Sequence, residues 1–573
     1  MKKTLKKLAE YAAEYKGIIM RLVPAALLAN MLALAGPYLS GRAIDFIAGE
    51  NNVDFDAVRR YSVALIAAYL FSSVFLYVST VLTNTLASKV IKDIRADAFA
   101  KISGLPLKFF DRTPHGDIIS RFTNDTDAVS DGLLQGMTQF FSGIVTVLGS
   151  LVIMFTLNFK ITLAVLAITV LCVFVSKFIA ARSGKMFREQ SRTIGELNGY
   201  IEEITENGEI INAFGYREEA IEKFTRINER LNKCGQKAQF YSSLVNPTTR
   251  FINNLAYISV GVFGGIAALH NNLSVGTISG FLIYATQFAK PINSMTGILA
   301  QLQSASASAE RIFGLQKEES ESDDSGLPDM PGGEGSVEFS NVSFSYTEDK
   351  PLIEDFSVRV KPGDIVAIVG PTGAGKTTVV NLLMRFYDTD RGGIFVNSAR
   401  IDRVKRAGLR KCFAMVLQET WLFSGTIREN IAYSRADATD EEIENAAKAA
   451  YAHSFIKRMP DGYDTVINED GSNLSQGQKQ LLTIARAMLR DPDILILDEA
   501  TSSVDTMTER RIRQAFAKMM KGRTSFVIAH RLSTIKDADT ILVMKDGNII
   551  EKGNHNELIE KSGFYAEMYK SSL

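Results

Sequence analysis

Cysteine and histidine are scarce in this chain of 573 residues. It contains 3 cysteines and 5 histidines. Cys172, Cys234 and Cys412 lie too far apart to form a metal-binding spacing or a disulfide framework, which favours a reducing compartment. No excess of either charge is present, because 64 basic residues balance 64 acidic ones. A strong global field is therefore absent, and the composition argues against a nucleic-acid partner.

The first part of the chain lacks the mixture of apolar and polar residues that is typical of a soluble domain. Apolar residues reach 46%, and the mean hydropathy is +0.04, but the apolar content is concentrated before residue 315. A bilayer core is crossed by about 20 helical residues. Segments of this kind predict a transmembrane domain over residues 1–314 with six helical spans: Ile18 to Ala48, Tyr61 to Leu86, Phe140 to Leu157, Ile161 to Ile179, Phe251 to Leu269 and Val275 to Leu299.

The predicted spans still carry polar residues, namely Arg21, Asn30, Asn253, Asn254 and Lys290. Such groups are costly in lipid, so we expect these helices to face one another or a polar cavity as well as the bilayer. Basic residues are dense between spans two and three and between spans four and five. The positive-inside rule then places these connections, the N-terminus and the C-terminal half in the cytoplasm of a multi-pass protein of the cell (inner) membrane. The same connections have helical patterns, which predicts that spans two to five continue beyond the membrane.

The N-terminal segment is basic but interrupted. Its apolar positions from Leu8 to Ile19 are broken by Glu10, Glu14 and Lys16. This pattern predicts an amphipathic interfacial helix rather than a signal peptide.

Residues 315–335 change the composition again, being acidic and rich in Gly, Pro and Ser, which predicts a solvated linker. Beyond it, over 336–573, short apolar runs alternate with helical stretches, as in an α/β domain with a largely parallel sheet. The predicted strands are Val337 to Phe339, Phe356 to Val360, Ile365 to Val369, Phe413 to Val416, Ile494 to Leu497, Ser525 to Ile528 and Ile541 to Met544. Asp546-Gly547 predicts a hairpin turn after the last of these.

One glycine-rich stretch of this domain fits the P-loop pattern. It follows a predicted strand and precedes a helical stretch, so phosphate would lie at a helix N-terminus, held by loop amides and a lysine. We expect the phosphates of a nucleoside triphosphate to be bound by Gly370, Pro371, Thr372, Gly373, Ala374, Gly375, Lys376, Thr377 and Thr378.

Two acidic residues end the strand Ile494 to Leu497. Placement at a strand end would bring Asp498 and Glu499 beside the P-loop. Asp498 suits a water-mediated Mg²⁺ ligand, and Glu499 suits a general base that polarises the attacking water. The expected reaction is hydrolysis of the bound nucleoside triphosphate.

Further motifs resemble those of ABC ATPases. Leu474-Ser475-Gln476-Gly477-Gln478 is similar to the signature motif, and it lies upstream of Asp498 as it does in that family. Gln418 matches the Q-loop, Ser502 to Asp505 the D-loop, His530 the H-loop and Tyr346 the A-loop. With six spans on the same chain, the whole sequence resembles a half-size ABC exporter. The implied fold class is multi-domain: a six-helix α transmembrane domain of type IV followed by an α/β P-loop nucleotide-binding domain.

The resemblance implies roles for these residues. Tyr346 would stack on adenine, and Thr377, Gln418 and Asp498 would address Mg²⁺. His530 would contact the γ-phosphate and act with Glu499 in catalysis. Ser475, Gln476, Gly477 and Gln478 would act on ATP held by a partner, a second half-transporter, with Asp505 in the D-loop. Phe109 to Asp127 and Asn207 to Glu222 match the two coupling helices, which dock into the nucleotide domains beside the Q-loop, and Glu469 is the best match to the exporter X-loop.

Gln476 departs from the family pattern, which has glycine there. A Cβ and a long amide at the phosphate contact are expected to hinder closure over the partner's ATP or to shift that nucleotide. The pattern resembles the consensus-Walker subunit of bacterial heterodimeric multidrug exporters, so a heterodimer is favoured, and a homodimer that tolerates glutamine is the alternative.

The expected function is ATP-driven export. The substrate would be an amphipathic small molecule, lipid or peptide, taken from the cytoplasm or the inner leaflet and moved outward. A homodimeric lipid or drug flippase is an alternative, and an ATP-gated channel or a regulatory subunit is another. An importer is disfavoured because the spans and the nucleotide domain are fused.

Overall fold

The computed structural model of the protein describes residues 2–47, 53–270, 273–347, 350–417, 420–468, 471–499, 505–529 and 535–571. The chain forms two compact units. One comprises Met1–Gly104 with Pro114–Glu318, and the other comprises Leu105–Thr113 with Glu319–Leu573. The linker predicted over 315–335 is thus divided between the two units. The segment Leu105–Thr113, although it falls within the predicted transmembrane domain, groups with the C-terminal unit.

Helices build the N-terminal part of the chain. A π-helical turn, Gly136–Phe140, joins the sixth and seventh of them. In order they are α1 (Lys2–Ala13), α2 (Lys16–Asp45), α3 (Phe55–Ile102), α4 (Leu107–Arg112, in the C-terminal unit), α5 (His115–Phe122), α6 (Asn124–Gln135), α7 (Phe141–Leu157), α8 (Phe159–Glu206), α9 (Gly208–Ala213), α10 (Arg217–Ser243), α11 (Val245–Leu269) and α12 (Val275–Leu315).

Five described segments are long and apolar enough to cross a membrane: Lys16–Asp45, Phe55–Ile102, His115–Leu157, Phe159–Glu206 and Arg217–Leu269. They contain the first five predicted spans, apart from the last three residues of the first. Phe46 and Ile47 form a turn after α2, and Ala48 lies outside the described residues. The sixth predicted span is helical throughout within α12 but is not among these five. Helices α3 and α8 have 48 residues each, about 72 Å at 1.5 Å per residue. Spans two to five were predicted to extend beyond a bilayer, and the lengths of α3 and α8 confirm this for spans two and four.

Side-chain hydrogen bonds and a close glycine contact connect α2 to α7 and α12. Ser142 on α7 donates to Asn30 Oδ1 at 2.6 Å, and Tyr284 on α12 donates to the carbonyl of Leu34 at 2.5 Å. Helices α2 and α12 approach so closely that a Cβ on Gly41 would lie 2.5 Å from the carbonyl oxygen of Gly276. Small residues allow this kind of contact between membrane helices. The expectation that Asn30 faces a neighbouring helix is confirmed.

The predicted N-terminal helix is present as α1. Tyr11 donates to Asp97 at 2.6 Å, and Tyr15, just after α1, donates to Asp93 at 2.5 Å, so both tyrosines contact α3. Lys7 donates to Gln316 at 2.7 Å. These hydrogen bonds hold α1 and Tyr15 against the C-terminal ends of α3 and α12.

The C-terminal unit contains the remaining elements. They are β1 (Val337–Phe344), β2 (Ile353–Val360), β3 (Ile365–Val369), α13 (Lys376–Leu383), β4 (Arg391–Val396), β5 (Ala399–Arg400), α14 (Arg406–Lys411), β6 (Phe413–Val416), β7 (Gly425–Thr426), α15 (Ile427–Ala432), α16 (Asp440–Ala449), α17 (His453–Ile456), β8 (Val466–Ile467), α18 (Gln476–Arg490), β9 (Ile494–Glu499), α19 (Thr506–Met520), β10 (Thr524–Ala529), β11 (Thr540–Lys545), β12 (Asn548–Gly553), α20 (His555–Glu560) and α21 (Phe564–Ser571).

A largely parallel sheet lies at the centre of this unit, as predicted. Its order is β12-β11-β3-β10-β9-β6, and only β12 runs antiparallel to its neighbour. Asp546 and Gly547 turn the β11–β12 hairpin with φ of 47° and 79°, which confirms the predicted turn. A separate antiparallel sheet of order β2-β1-β4-β5 was not predicted, and the first two predicted strands belong to it.

The predicted linker is not simply solvated. Asp324 accepts a hydrogen bond from the backbone N–H of Arg406 at 2.6 Å, and Glu321 accepts one from Arg410 at 2.9 Å. The guanidinium of Arg406, a residue only 6% exposed, also donates to the carbonyl of Ser322 at 2.8 Å. The acidic residues were expected to be exposed to water as part of a solvated linker. Instead they bind the basic helix α14, because paired charges and buried donors offset the cost of ordering the segment.

Candidate functional site

Four parallel strands bring the predicted catalytic segments to one edge of the sheet. Ile528 pairs with Ile368 on β3 and with Asp498 on β9, and Ala529 pairs with Glu499. Strand β6 pairs with the other side of β9. Carboxyl ends of adjacent parallel strands form the crevice where ligands bind in α/β sheets. Gln418 follows β6, and His530 follows β10. Both lie outside the described residues, as does the side chain of Glu499.

The glycine-rich loop after β3 has the backbone that a phosphate cradle needs. Gly370 has φ of 152°, and a Cβ there would lie 2.1 Å from the carbonyl oxygen of Met544. Gly375, with φ of 95°, is the N-cap of α13, and no side chain caps this helix. The first amides of α13 thus lack a side-chain acceptor and suit an anion.

Lys376 already lies inside the loop. The residue is 9% exposed, and its Nζ donates to the carbonyls of Gly370 at 2.7 Å and Pro371 at 3.2 Å. Burial lowers the pKa of Lys376, and the charge of Asp498 opposes that shift. An ammonium group held by two carbonyls is placed to exchange them for phosphate oxygens.

The predicted adenine-binding tyrosine is connected to this loop. Tyr346 is 37% exposed, and its hydroxyl lies 3.2 Å from the hydroxyl of Thr378. Its ring packs edge-on against Phe344 and Tyr387, with centroids 4.9 and 5.0 Å away. Tyr346 and Thr378 are thus brought together, although 32 residues separate them.

This aromatic cluster contacts α4, a contact that was not predicted from the sequence. Tyr387 donates a hydrogen bond to the carboxylate of Asp111, and Arg112 donates to the backbone carbonyl of Tyr346 at 3.4 Å. Burial, followed by the hydrogen bond to Asp111, raises the pKa of Tyr387. The segment that carries Asp111 was predicted as a coupling helix, but its partners lie more than 230 residues away, so no local pattern could identify them.

The signature-like segment begins α18. Ser475 is its N-cap, and a capping box joins it to Gln478: Ser475 Oγ accepts from the amide of Gln478 at 3.3 Å, and Gln478 Oε1 accepts from the amide of Ser475 at 2.9 Å. Ser475 and Gln476 are exposed, whereas Gly477 is buried. Gln476 Nε2 donates to Thr420 Oγ1 at 3.2 Å. Its long amide therefore has a partner within the same unit.

Comparisons with known proteins agree with this geometry. Residues 20–292 match the ABC transporter transmembrane region, and residues 353–502 match the ABC transporter family. The chain belongs to the ABC transporter family. It is 41% identical to the ABC transporter ATP-binding protein YfiC of Bacillus subtilis over 574 residues, which cover 100% of this chain and 94% of the relative.

Two further relatives have names that mention lipids. The fatty acid ABC transporter ATP-binding/permease protein of Mycobacterium tuberculosis is 41% identical, over 97% of this chain and 89% of its own length. The ATP-dependent lipid A-core flippase of Shigella flexneri is 33% identical, over 94% and 92%. A solved bacterial Atm1-family ABC exporter with ATP bound has a TM-score of 0.77 at 28% identity, covering 98% of this chain and 99% of the other.

These findings confirm several predictions together. The chain is a half-size ABC exporter, a multi-pass membrane protein whose helical transmembrane domain precedes a cytoplasmic ATPase domain. It binds ATP and couples ATP hydrolysis to transport.

Other predicted positions of the ATPase domain have structural partners. Asp505 is the N-cap of α19 and accepts from the amides of Met507 at 3.1 Å and Thr508 at 2.9 Å. These backbone hydrogen bonds lower the pKa of Asp505. Ser502 to Val504 and the predicted X-loop residue Glu469 lie outside the described residues.

Arg486 on α18 was also missed. It donates to the carbonyls of Asn430 at 2.9 Å and Trp421 at 3.1 Å, and its guanidinium lies 5.2 Å from the ring centroid of Tyr433. Burial lowers its pKa. A single arginine on a helix is usually exposed to solvent. Nothing in the sequence therefore predicted that Arg486 contacts Asn430, Trp421 and Tyr433.

The oxygen donors near the loop fit Mg²⁺. Thr377 is exposed at the start of α13. Asp498, the last residue but one of β9, lies close enough to influence Lys376 electrostatically. Within the described ranges, no three His, Cys, Asp or Glu side chains cluster as a preformed metal site. Thr377 and Asp498 would supply one or two protein oxygens, the usual number for Mg²⁺ bound together with phosphates and water.

Proposed function

We propose that this exporter moves an amphipathic, lipid-like molecule from the cytoplasmic side outward, as one half of a dimer. The observation that supports the substrate class is an apolar cavity of about 700 Å³ in the helical unit, lined by α2, α7 and α12. Met31, Leu34, Leu148 and Val152 line it, and Tyr38 adds a polar hydroxyl. Mostly apolar walls with few polar groups suit a ligand that is itself mostly apolar. The names of the two lipid-related relatives support the same class.

The proposed ATP chemistry assigns one task to each residue. Tyr346 stacks on the adenine, and Lys376 with the amides of α13 holds the phosphates. Thr377, Gln418 and Asp498 hold Mg²⁺, which neutralises phosphate charge when bound. Glu499 takes the proton of the attacking water, and His530 orients the γ-phosphate. General-base catalysis of this kind contributes about 10²–10⁴-fold to the rate.

The dimer proposal rests on the exposed signature segment. Ser475 and Gln476 lie at the N-terminus of a 15-residue helix, α18, where amides and the helix dipole suit a phosphate. In the proposed dimer they contact ATP bound by the partner, with Gly477, Gln478 and Asp505. Because Gln476 replaces the family glycine, a heterodimer is proposed ahead of a homodimer.

Exposed apolar surfaces support coupling between subunits. Ile210 and Phe214, in and just after α9, are 57% and 84% exposed. Trp421 and Tyr433, in the segment between β6 and α16, are 59% and 62% exposed. Large exposed apolar groups of this kind mark interaction sites. In the proposed dimer, α9 of one subunit docks on the aromatic surface of the other and passes on the motion of ATP-driven closure.

Transport in reconstituted vesicles tests the proposal. The full chain, with any co-purifying subunit identified by mass spectrometry, is placed in liposomes that contain a fluorescent fatty acid or phospholipid. We expect ATP-dependent movement against a gradient, abolished by Glu499→Gln and retained by Glu441→Gln. The control removes the same charge at an exposed position in the first turn of α16. Movement only down the gradient would support the ATP-gated channel instead.

A further inference from the structure

A second cavity in the helical unit differs in chemistry from the apolar one. It has a volume of about 480 Å³ and lies between α8, α11 and α12. Two cationic residues, Arg250 and Lys290, and two amides, Asn253 and Asn254, line it. The expectation that Asn253, Asn254 and Lys290 face a polar cavity is confirmed.

Within the described part of the chain, no ion pair balances the positive charge of this cavity. None of the lining residues is acidic. Among the residues that the structure describes, no carboxylate forms an ion pair with Arg250 or Lys290. Hydroxyls of Thr169, Tyr257 and Thr286 complete the polar lining, while Val165 and several alanines supply an apolar part. The lining is thus rich in hydrogen-bond donors and suits an anion with an attached apolar group.

The depth of the two cations is also informative. Lys290 lies 15 residues after the start of α12 at Val275, and Arg250 lies 19 residues before the end of α11 at Leu269. At 1.5 Å per residue these are about 22 and 28 Å. With a hydrocarbon core of about 30 Å and the predicted orientation, both side chains lie toward the cytoplasmic side of the bilayer. Ionised groups at such depths are costly unless they are hydrated or paired, and they mark substrate pathways.

We propose that this cavity binds the anionic headgroup, carboxylate or phosphate, of the amphipathic substrate before export. The inference rests on the proposed function and narrows it from amphiphiles in general to amphiphiles with an acidic headgroup. Arg250 and Lys290 supply the charge-assisted hydrogen bonds, and Asn253 and Asn254 orient the headgroup. The apolar part of the ligand contacts the alanine and valine side of the same cavity.

A competing explanation is that both cations anchor helix ends at the membrane interface, as long basic side chains commonly do. The two explanations differ in what they predict for ligands. An anchor affects folding and insertion, whereas a binding residue changes discrimination between charged and neutral amphiphiles of equal length.

The test uses the full exporter in nanodiscs of zwitterionic lipid, with ATP hydrolysis measured against added oleate, oleyl alcohol, phosphatidylglycerol or inorganic phosphate. We expect oleate and phosphatidylglycerol to stimulate hydrolysis at concentrations roughly tenfold lower than oleyl alcohol, the effect of a single charge-assisted contact. Arg250→Gln and Lys290→Gln should each abolish this preference, and Arg250→Lys should restore most of it. Lys177→Gln is the matched control, because Lys177 lies 18 residues into α8, about 27 Å from its start, and does not line the cavity.

Each outcome decides a separate question. If inorganic phosphate alone competes, the headgroup is sufficient for binding. If phosphate does not compete while the preference for acidic amphiphiles remains, the attached apolar chain is also required. Equal responses to oleate and oleyl alcohol, or loss of preference in Lys177→Gln as well, would overturn the inference and leave the amphiphile exporter standing. Hydrolysis that responds to no amphiphile at all would overturn the proposed substrate class. Where a glutamine variant fails to fold, Lys290→Glu with oleylamine gives the complementary test, since the preference should then reverse.

Discussion

The phenol of Tyr387 donates a hydrogen bond to the carboxylate of Asp111, while its ring packs against Tyr346 with the centroids 5.0 Å apart. One end of this contact is α4, the segment predicted to couple the transmembrane and ATPase domains. The other end is the tyrosine proposed to stack on adenine. Tyr387 is therefore placed to connect occupancy of the nucleotide site with the position of α4.

Removing this hydrogen bond should weaken coupling more than ATP binding. In Tyr387→Phe the ring still packs against Tyr346, so ATP affinity should stay within about threefold. A hydrogen bond of this type contributes about 1 kcal/mol net, so substrate stimulation of ATP hydrolysis should fall by up to roughly fivefold. Asp111→Asn should behave similarly. Tyr451→Phe, at a residue 39% exposed, is the control, and full stimulation in Tyr387→Phe would contradict the prediction.

The pH dependence of coupling follows from the raised pKa of Tyr387. A tyrosine that ionises near pH 10 when unfolded and higher when folded stays protonated as a donor throughout the neutral range. Its contribution is fully present below about pH 10 and is lost only as the pH rises through the folded pKa. Substrate stimulation measured from pH 6 to 9 should thus show no step attributable to this bond, and the ratio of wild type to Tyr387→Phe should stay constant.

Gln476 provides a test of whether the two ATP sites of the proposed dimer differ. If its side chain limits closure over the partner's ATP, Gln476→Gly should raise ATP turnover by roughly fivefold, equivalent to about 1 kcal/mol. Thr420→Val removes only the 3.2 Å hydrogen bond made by the Gln476 amide and should leave turnover near the wild-type value. Steady-state hydrolysis of both variants, each purified with its co-purifying subunit, provides the measurement. A fall in turnover in Gln476→Gly would indicate that the glutamine assists closure.

Short sequence patterns predicted the elements whose structure depends on residues close together in the chain. The apolar runs of β3, β9 and β10, the glycine loop and the Asp546-Gly547 turn were all identified in this way. The antiparallel sheet was missed because polar Ser340, and Asn341 with its positive φ of 49°, interrupt the apolar pattern of β1. Contacts between distant segments leave no such pattern in the sequence. Asp111 and Tyr387, for example, form a hydrogen bond although 276 residues separate them.

Arg486 should contribute strongly to the stability of the ATPase domain. Its replacement by methionine removes the donors for the partly buried carbonyl of Asn430 and for the exposed carbonyl of Trp421. A buried acceptor left unpaired costs about 1–3 kcal/mol. We expect the free energy of unfolding to fall by about 2–3 kcal/mol. The chain has 1 tryptophan, so the fluorescence of Trp421 reports directly on this region during denaturation. Arg510→Met, at an exposed position of α19, is the control, and equal losses in both variants would refute a specific role.

The turn at Gly547 should be needed for the shape of the phosphate loop. Its amide donates to the carbonyl of Ala374 at 3.2 Å, and a Cβ there would lie 1.3 Å from the carbonyl oxygen of Leu352. Gly547→Ala must therefore move the turn away from the loop, which should reduce the free energy of unfolding by about 3 kcal/mol or more and weaken ATP binding. Gly522→Ala is a matched control, because Gly522 has φ of 80° with open space around its Cβ position. That substitution should cost only the backbone strain, about 1–2 kcal/mol, and leave ATP affinity unchanged. Denaturation followed by Trp421 fluorescence and titration with a fluorescent ATP analogue compare the two variants, and equal effects would show that the contact with Leu352 is unimportant.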